Sequence, residues 1–459
     1  MKRFMTYLIL QLTWATTVFS QIGIDQDPHT VDSILSVAIH ALDSVEAKER
    51  FAQYQEQFID EYQKRGIARE RKLDLDGSPH LIRGLLLTYT DRHFRNHEGV
   101  FKQRDRSWGQ YGIAIVPLAT SWTMKALGLK SKSSSERMIM SNSMALAISS
   151  SITFGLKESA KEMRPDKSKR KSMPSGHASL AFTAATILHR EYGHLSPWIS
   201  VGGYATATGV QLLRIHDNAH WVHDTFIGAG IGMLSTNFAY FLTDQALHGR
   251  GINAPRQTMG DLYRQMAFIE HPNSITMVTC IETGSNKILP DSYELLTDFS
   301  GQIHFKTGAT YSAGVEGSFF FNKHIGLEAI ARFASVQAKA EAVSLTSPMP
   351  QLYGTNIDYY HTDLGLKAST ALTDFFRISG RVYGGGRFVD SAPVREVEGG
   401  STFARIKSEQ CAEFGGGIAV DFFKESKKFM YGFYIDYNHA CSKLFENRWC
   451  IGSTWRIGL

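Results

Sequence analysis

Residues 311–333 read YSAGVEGSFFFNKHIGLEAIARF, and this stretch decides the fold of the C-terminal part of the chain. Apolar and more polar residues alternate on both sides of the turn Asn322-Lys323-His324. Because successive side chains of a β-strand point to opposite faces, this pattern predicts a β-hairpin with one apolar face. The same alternation recurs further along, in segments 376–382, 414–422, 431–437 and 449–457.

These alternating segments fit membrane strands of roughly ten residues, with Tyr, Trp and Phe frequent near their ends. We expect about eight of them, which makes a small barrel filled by its own side chains. The region resembles small outer-membrane barrels in general, with a soluble β-sandwich as the alternative. The predicted fold class is a multidomain α and β chain, in which an α-helical bundle precedes an antiparallel β-barrel.

The composition supports a folded chain. Of the 459 residues, 43% are hydrophobic and 20% are charged, which excludes a disordered or collagen-like chain. Lys and Arg number 49 against 44 Asp and Glu, a net charge of +5 that gives no support for nucleic-acid binding. An aromatic content of 12% together with 40 glycines is typical of a β-barrel with aromatic girdles.

The N-terminus predicts export. Lys2 and Arg3 precede an apolar run that ends at Phe19, and Val18 and Ser20 fit a cleavage site before the next residue. A retained membrane anchor is the alternative. The predicted segments are a signal peptide (1–20), an N-terminal helical and irregular segment (21–106), a helical domain (107–245), a linker (246–300) and the barrel (301–459).

Uncharged stretches in 107–245 approach the length of a membrane span but are diluted with Ser, Thr and Gly. A compact bundle that packs through small residues is therefore favoured over transmembrane helices. The four cysteines are Cys280, Cys411, Cys441 and Cys450, and they form no CxxC pair, so no metal site is predicted. They are either free thiols or, after export, Cys441 and Cys450 bridge one hairpin.

Three segments in the helical domain concentrate cations and histidines. They are Lys157-(six residues)-Arg164-Pro165, Pro174-Ser175-Gly176-His177 and Arg214-(five residues)-His220-(three residues)-Asp224. Arg and Lys side chains together fit the oxygens of a phosphate. The second segment precedes an apolar helix, whose first N–H groups favour an anion. There Gly176 lets the backbone approach the anion, and Ser175 can add a hydroxyl donor.

The third segment suggests nucleophilic catalysis. Four residues separate His220 from Asp224, so on a helix the carboxylate can hold the imidazole in one tautomer. An oriented imidazole can attack phosphorus and form a phosphohistidine. His177 can then protonate the leaving alkoxide. Three cations neutralise the phosphoryl oxygens, so we expect no metal and no cofactor.

Together the three motifs resemble the type 2 phosphatidic acid phosphatase superfamily, which includes bacterial class A acid phosphatases and vanadium haloperoxidases. One position departs from its pattern, because Leu213 stands where the family has Ser. The resemblance implies that His220 is the nucleophile, Asp224 its orienting carboxylate and His177 the general acid. It implies a phosphate clamp of Lys157, Arg164 and Arg214, helped by Ser175 and Gly176. His216 and His223 match no motif position and are predicted to be structural.

The expected function is hydrolysis of phosphate monoesters or diphosphates, either of lipids or of small soluble esters. The alternatives are a vanadium-dependent haloperoxidase and a non-enzymatic outer-membrane pore or adhesin with a degenerate helical domain. The expected location is the outer membrane, with the phosphatase domain in the periplasm, and the inner membrane is the alternative. A basic run, 167–171, is predicted to be a solvated loop or to contact an anionic lipid head group.

Overall fold

The computed structural model describes residues 74–75, 77–91, 95, 100–101, 109–248, 250–253, 272–284, 288–344, 349–373, 376–423 and 429–458. The predicted signal peptide 1–20 and most of segment 21–106 lie outside these residues. Gly66–Pro255 and Ala267–Leu459 cluster into one compact unit, which holds the helices and strands described below.

Six helices of the described chain form a bundle. They are α1 (Ser78–Thr90), α2 (Gly109–Ala126), α3 (Ser135–Ala160), α4 (Gly176–Tyr192), α5 (Pro197–His216) and α6 (Val222–Leu247). Helix α6 is the central one, because it packs against α1, α3 and α4 and most of its side chains are buried. The helical domain therefore starts at α1, before the predicted boundary at 107.

Two glycines of α6 let it approach α4 closely. A Cβ atom added at Gly228 would lie 2.5 Å from the carbonyl oxygen of Ser175, and one added at Gly232 would lie 2.4 Å from that of Ser179. Contacts this short exclude any side chain without a shift of the backbone. The bundle thus packs through small residues, as the sequence predicts.

The described residues contain thirteen strands, of which β1 lies between α1 and α2 and the others follow α6. They are β1 (Val100–Phe101), β2 (Ser274–Gly284), β3 (Tyr293–Leu295), β4 (Gln302–Thr307), β5 (Thr310–Phe320), β6 (Ile325–Val343), β7 (Tyr353–Thr373), β8 (Phe376–Val389), β9 (Ala392–Arg395), β10 (Thr402–Ile406), β11 (Glu409–Phe423), β12 (Phe429–Ala440) and β13 (Asn447–Gly458). Eight of them close an antiparallel barrel in the order β2, β5, β6, β7, β8, β11, β12, β13. The predicted strand number is confirmed.

The shorter strands add to this barrel. Strand β1 pairs with β7 in parallel, and β4 pairs in antiparallel with the last residues of β6. Strands β3, β10 and β9 form a separate three-stranded sheet. Apolar side chains of that sheet, including Val394 and Phe403, pack with Val336 and Ile357 on the inner faces of β6 and β7. One end of the barrel is thereby filled by an apolar cluster.

The barrel begins earlier than the sequence predicts. Strand β2 lies within 246–300, which was assigned to the linker, and it pairs with both β13 and β5. Apolar and polar residues alternate only weakly along β2 in the sense expected for a membrane strand. The apolar Val278 and Cys280 point into the barrel, while the polar Thr279 points outward, beneath the helices. Neither face of this strand therefore has a uniform polarity.

Each face of the barrel has the predicted character. Outward-pointing apolar side chains are exposed over much of the wall, for example Leu364 at 74% and Val382 at 62%. Inward-pointing charged side chains are buried in pairs. Examples are Arg381 with Asp436 at 2.7 Å, Arg387 with Glu413 at 2.6 Å and Arg332 with Glu316. A soluble sandwich would have an apolar interior, so this distribution excludes that alternative.

The disulfide differs from the predicted one. Cys280 on β2 is bonded to Cys450 on β13, whereas Cys411 and Cys441 are free. Cys280 and Cys450 both point into the barrel from neighbouring strands, with Cα atoms 6.0 Å apart. Cys441 lies in the exposed turn after β12, where it cannot reach them.

Candidate active site

The predicted site residues lie at one end of the helical bundle. Lys157 is in the last turn of α3, His177 in the first turn of α4 and Arg214 in the last turn of α5. His220 precedes α6, and Asp224 is in its first turn. Because α3 and α5 end where α4 and α6 begin, the fold brings the three motifs together.

Electrostatic coupling shows how closely these groups converge. Burial and, after it, the charges of Arg214, His220, Arg164 and Lys157 together lower the pKa of His177 to about 3. Arg214 is itself 2% exposed, so its guanidinium lies within the protein rather than in bulk water. All three cations therefore lie near enough to His177 to act on its charge, as a phosphate clamp requires.

His220 and Asp224 form the predicted pair. The Nδ1 atom of His220 lies 3.6 Å from Oδ2 of Asp224, and both side chains are buried. The same Oδ2 accepts hydrogen bonds from the Ser172 hydroxyl at 2.5 Å and from the Trp221 backbone N–H at 2.9 Å. The Asp224 carboxylate is thus contacted from three sides. Because Nδ1 of His220 faces this carboxylate, Nε2 on the other side of the ring points away from Asp224.

The electrostatics keep His220 neutral. Burial lowers the pKa of His220 most, Asp224 opposes this, and Arg214 and Lys157 lower the pKa as well. The net pKa is about 4. A neutral imidazole has a lone pair on Nε2 when Nδ1 carries the proton. At neutral pH His220 is therefore in the form that can act as a nucleophile.

Ser175 and Gly176 shape the start of α4. The Ser175 side chain caps the helix, where its oxygen accepts a hydrogen bond from the Ala178 N–H at 3.5 Å, and its own N–H donates to the Asp224 carbonyl. A hydroxyl that accepts one bond can donate another, so the cap is compatible with anion binding. A Cβ atom on Gly176 would lie 3.7 Å from Lys157, so its absence leaves room within the clamp.

The residue that departs from the family pattern lies outside the site. Leu213 is 37% exposed, whereas Arg214 beside it is buried. The hydroxyl that reaches Asp224 comes instead from Ser172, which the sequence analysis did not single out.

His223 was predicted to be structural, but the structure places it against the pair. Its Nε2 atom lies 3.1 Å from Oδ1 of Asp224 and 3.1 Å from Oε1 of Glu162. Glu162 in turn pairs with Arg95 at 2.9 Å. Burial opposes a charge on His223, but the two carboxylates raise its pKa to about 9. The Asp224 carboxylate is therefore held by a histidine on each side.

Arg95 also approaches the other ring nitrogen of His223, with Nη1 3.3 Å from Nδ1. A guanidinium at this position opposes protonation of Nδ1, so Nε2–H faces the carboxylates in either charge state of the ring. Ligand atoms of Glu162, His223 and Asp224 lie within 4.8 Å of one another, which is close enough for a metal ion. Because Arg95 already pairs with Glu162, we interpret these three residues and Arg95 as a network of ion pairs and not as a metal site.

The basic segment beside the site is largely exposed. Lys167, Lys169 and Arg170 face solvent, while the Lys171 carbonyl accepts a hydrogen bond from Nζ of Lys157 at 3.2 Å. The Arg164 N–H donates to the Lys169 carbonyl at 3.2 Å. The segment thus positions two clamp residues through its backbone and leaves its own charges outside.

With this geometry in place, the chain can be compared with known proteins. Residues 139–246 match the PAP2 superfamily. This PAP2 domain contains all three motifs and spans α3 to α6, which confirms the resemblance seen in the sequence. A lipid A 1-phosphatase of Porphyromonas gingivalis is 37% identical over 131 residues, which are 28% of this chain. The chain matches 29% of the length of that relative.

Two solved outer-membrane proteins are similar to part of this chain. Ail, the attachment invasion locus protein of Yersinia pestis, matches over 41% of this chain and 98% of its own, with 13% identity and a TM-score of 0.23. OprG of Pseudomonas aeruginosa matches over 41% of this chain and 97% of its own, with 11% identity and a TM-score of 0.26.

Proposed function

We propose that this protein is a phosphatase that removes phosphate groups from membrane lipids. The observation that carries the proposal is a buried His220, 3.6 Å from Asp224 and within the electrostatic influence of Arg214 and Lys157, in a PAP2 domain. The relative from Porphyromonas gingivalis acts on lipid A, which supports a lipid substrate. Lys157, Arg164 and Arg214 would hold the phosphoryl oxygens.

The chemistry follows from the positions of the two histidines. The lone pair of His220 Nε2 attacks phosphorus, an N–P bond forms, and the bond from phosphorus to the leaving oxygen breaks. His177 donates a proton to that oxygen, and the alcohol departs. In the second half, His177 accepts a proton from water, the water oxygen attacks phosphorus, and the N–P bond breaks. Inorganic phosphate leaves, and both histidines return to their starting forms.

We propose the outer membrane as the location of the protein. The exposed apolar wall fits lipid, and the interior of paired charges needs to be shielded from it. That interior also argues against the pore alternative, because side chains and the apolar cluster fill the described barrel.

The test is phosphate release by the full chain from a panel of lipid phosphates in mixed micelles. The wild type should release phosphate in the presence of EDTA, and His220→Ala should release none, because no N–P bond can form. His177→Ala should lose more activity on an alkyl phosphate than on an aryl phosphate, whose leaving group needs less protonation.

A trapping experiment addresses the intermediate. With a lipid carrying radioactive phosphate, rapid denaturation in alkali should retain label on the wild-type protein and none on His220→Ala. Loss of activity with EDTA, or label on both proteins, would contradict the proposed mechanism.

A further inference from the structure

Helix α5 lies along the outer wall of the barrel. In its first half, the Tyr204 ring stacks on Trp455 of β13, with centroids 5.4 Å apart. In its second half, Gln211 accepts a hydrogen bond from the Tyr311 hydroxyl of β5 at 3.2 Å. At its end, the His216 carbonyl accepts one from the Asn356 amide of β7 at 2.8 Å. All three barrel residues point outward, so the bundle stands beside the barrel.

These three contacts give the bundle a direction relative to the barrel. Strands β13 and β7 are separated by four antiparallel steps and therefore run in the same direction. Trp455 lies near the end of β13, whereas Asn356 lies near the start of β7, so the two contacts are at opposite ends of the barrel. The C-terminal end of α5, which carries Arg214, is at the end where β7 begins.

Two more contacts place the active site at this same end. Strand β1 pairs Phe101 with Gly354 near the start of β7, and the Phe101 N–H donates to the Pro165 carbonyl at 3.2 Å. On β6, Lys339 lies over the ring of Trp221, with Nζ 5.7 Å from the centroid. Pro165 follows Arg164 and Trp221 follows His220, so both sides of the site are tied to this end.

The two ends of the barrel differ in their connections. At the end where β7 begins, the connections are long, and they comprise 285–309, 344–352, 390–408 and 441–446. At the other end they are short, and they comprise 321–324, 374–375 and 424–428. Outer-membrane barrels place their short turns in the periplasm and their longer loops outside the cell.

We propose that the active site opens at the external face of the outer membrane and acts on phosphorylated lipids of the outer leaflet. This inference rests on the proposed function and adds the leaflet that holds the substrate. A phosphate group at the external surface would lie level with the clamp, while the acyl chains of the same lipid remain in the membrane.

The surface of the bundle provides a path for such a lipid. Helix α3 is long and apolar enough to cross a membrane, yet only 28% of its apolar window is buried. Its exposed side chains include Ile152 at 42% and Phe154 at 67%, one turn before Lys157. An acyl chain that lies along α3 would therefore bring its head group to the clamp, next to the exposed basic segment 167–171.

Accessibility in intact cells tests this orientation without using activity. In a Cys411→Ser, Cys441→Ser background, Lys169→Cys marks the active-site end and Lys323→Cys marks the short-turn end. A maleimide on a large polymer, which cannot cross the outer membrane, should label Lys169→Cys in intact cells. It should label Lys323→Cys only after the cells are permeabilised.

Protection of Lys169→Cys in intact cells would overturn the proposal and support the periplasmic domain expected from the sequence. Labelling of Lys323→Cys in intact cells would overturn the assignment of the two ends. If a lysine variant fails to fold, the natural thiol Cys441 gives a second probe in the Cys411→Ser protein. Cys441 is exposed in the connection 441–446, at the end of the barrel with the long connections. Because the readout is labelling, a phosphatase that is inactive on every lipid tested would still report its orientation.

Discussion

His177 must carry a proton to act as an acid, yet burial and the three cations lower its pKa to about 3. A bound phosphate dianion would neutralise those cations and raise the pKa of His177 again. Anion binding and proton uptake are therefore coupled at this residue. The enzyme would acquire its general acid only when a substrate is in place.

This coupling can be measured with sulfate, which carries no proton at pH 6. We expect sulfate binding to take up protons at that pH, since His177 is neutral in the free protein and becomes charged in the complex. Calorimetry in two buffers of different ionisation enthalpy gives the number of protons. His177→Asn should take up fewer protons when it binds sulfate, and equal uptake by both proteins would contradict the assignment.

His223 gives a second prediction for a single residue. Removing the N–H that faces Asp224 and Glu162 should lower kcat roughly 10–100-fold, the size expected for a hydrogen bond to a charged group. KM should change little, because His223 positions Asp224 and does not belong to the clamp. The measurement is steady-state phosphate release by His223→Ala and His223→Gln.

Glutamine can place an N–H where Nε2 of His223 lies, so His223→Gln should recover part of the lost kcat. His216→Ala is the matched control, since His216 pairs with Asp358 on the barrel at 3.4 Å and does not contact Asp224 in the described contacts. A rise in KM at constant kcat, or equal defects in both His223 variants, would exclude the positioning role.

At the scale of the helix, the close contact of α6 with the start of α4 links stability to activity. A methyl group at Gly228 would collide with the Ser175 carbonyl and displace the turn that carries His177. We expect Gly228→Ala to cost about 1–3 kcal/mol of stability and to lower kcat. Thermal unfolding in detergent and phosphate release measure the two effects.

Gly209 on α5 is the matched control for Gly228, because an added Cβ there meets no atom within 4 Å. Gly209→Ala should keep full activity and gain up to about 1 kcal/mol from its better helix propensity. If both alanine variants behaved alike, the contact between α6 and α4 would not matter for the site.

The elements that sequence analysis missed share a physical cause. In α1, the polar residues His80 and Arg83 are buried, with His80 stacked on Trp455, while Leu85 and Leu86 are exposed. The bounds of α1 therefore cannot be read from a pattern that expects apolar residues on the buried face. The strands β5, β8, β12 and β13 were predictable because their outer faces are apolar over most of their length. The three cation and histidine motifs were predictable because their spacing follows helix ends.

His223 and Ser172 were not predictable for a different reason. Ser172 reaches Asp224 only through the fold, and His223, next to Asp224 in the chain, meets Glu162 only through the fold; neither position matches a motif. The partner of Cys450 was hidden in the same way, since Cys280 is 170 residues away and becomes its neighbour only when the barrel closes.

For the molecule as a whole, this disulfide joins the first and last strands of the barrel. A bridge across so long a stretch restricts the unfolded chain strongly, and we expect it to contribute about 2–4 kcal/mol. Cys280→Ser with Cys450→Ser should lower the temperature at which the folded barrel is lost, measured by gel mobility without boiling. The pair Cys411→Ser with Cys441→Ser is the control and should melt like the wild type; equal melting of all three would contradict a stabilising role.

The wall beneath the bundle has a consequence for engineering. Its outward side chains include Gln337 and Asn356, buried polar groups that donate to Asn218 after α5 and to the His216 carbonyl at its end. A barrel produced without the helices would leave these two amides without those helix-side partners. The two halves are therefore not interchangeable modules. Transplanting the helices onto another scaffold would require grafting this strip of wall along with them.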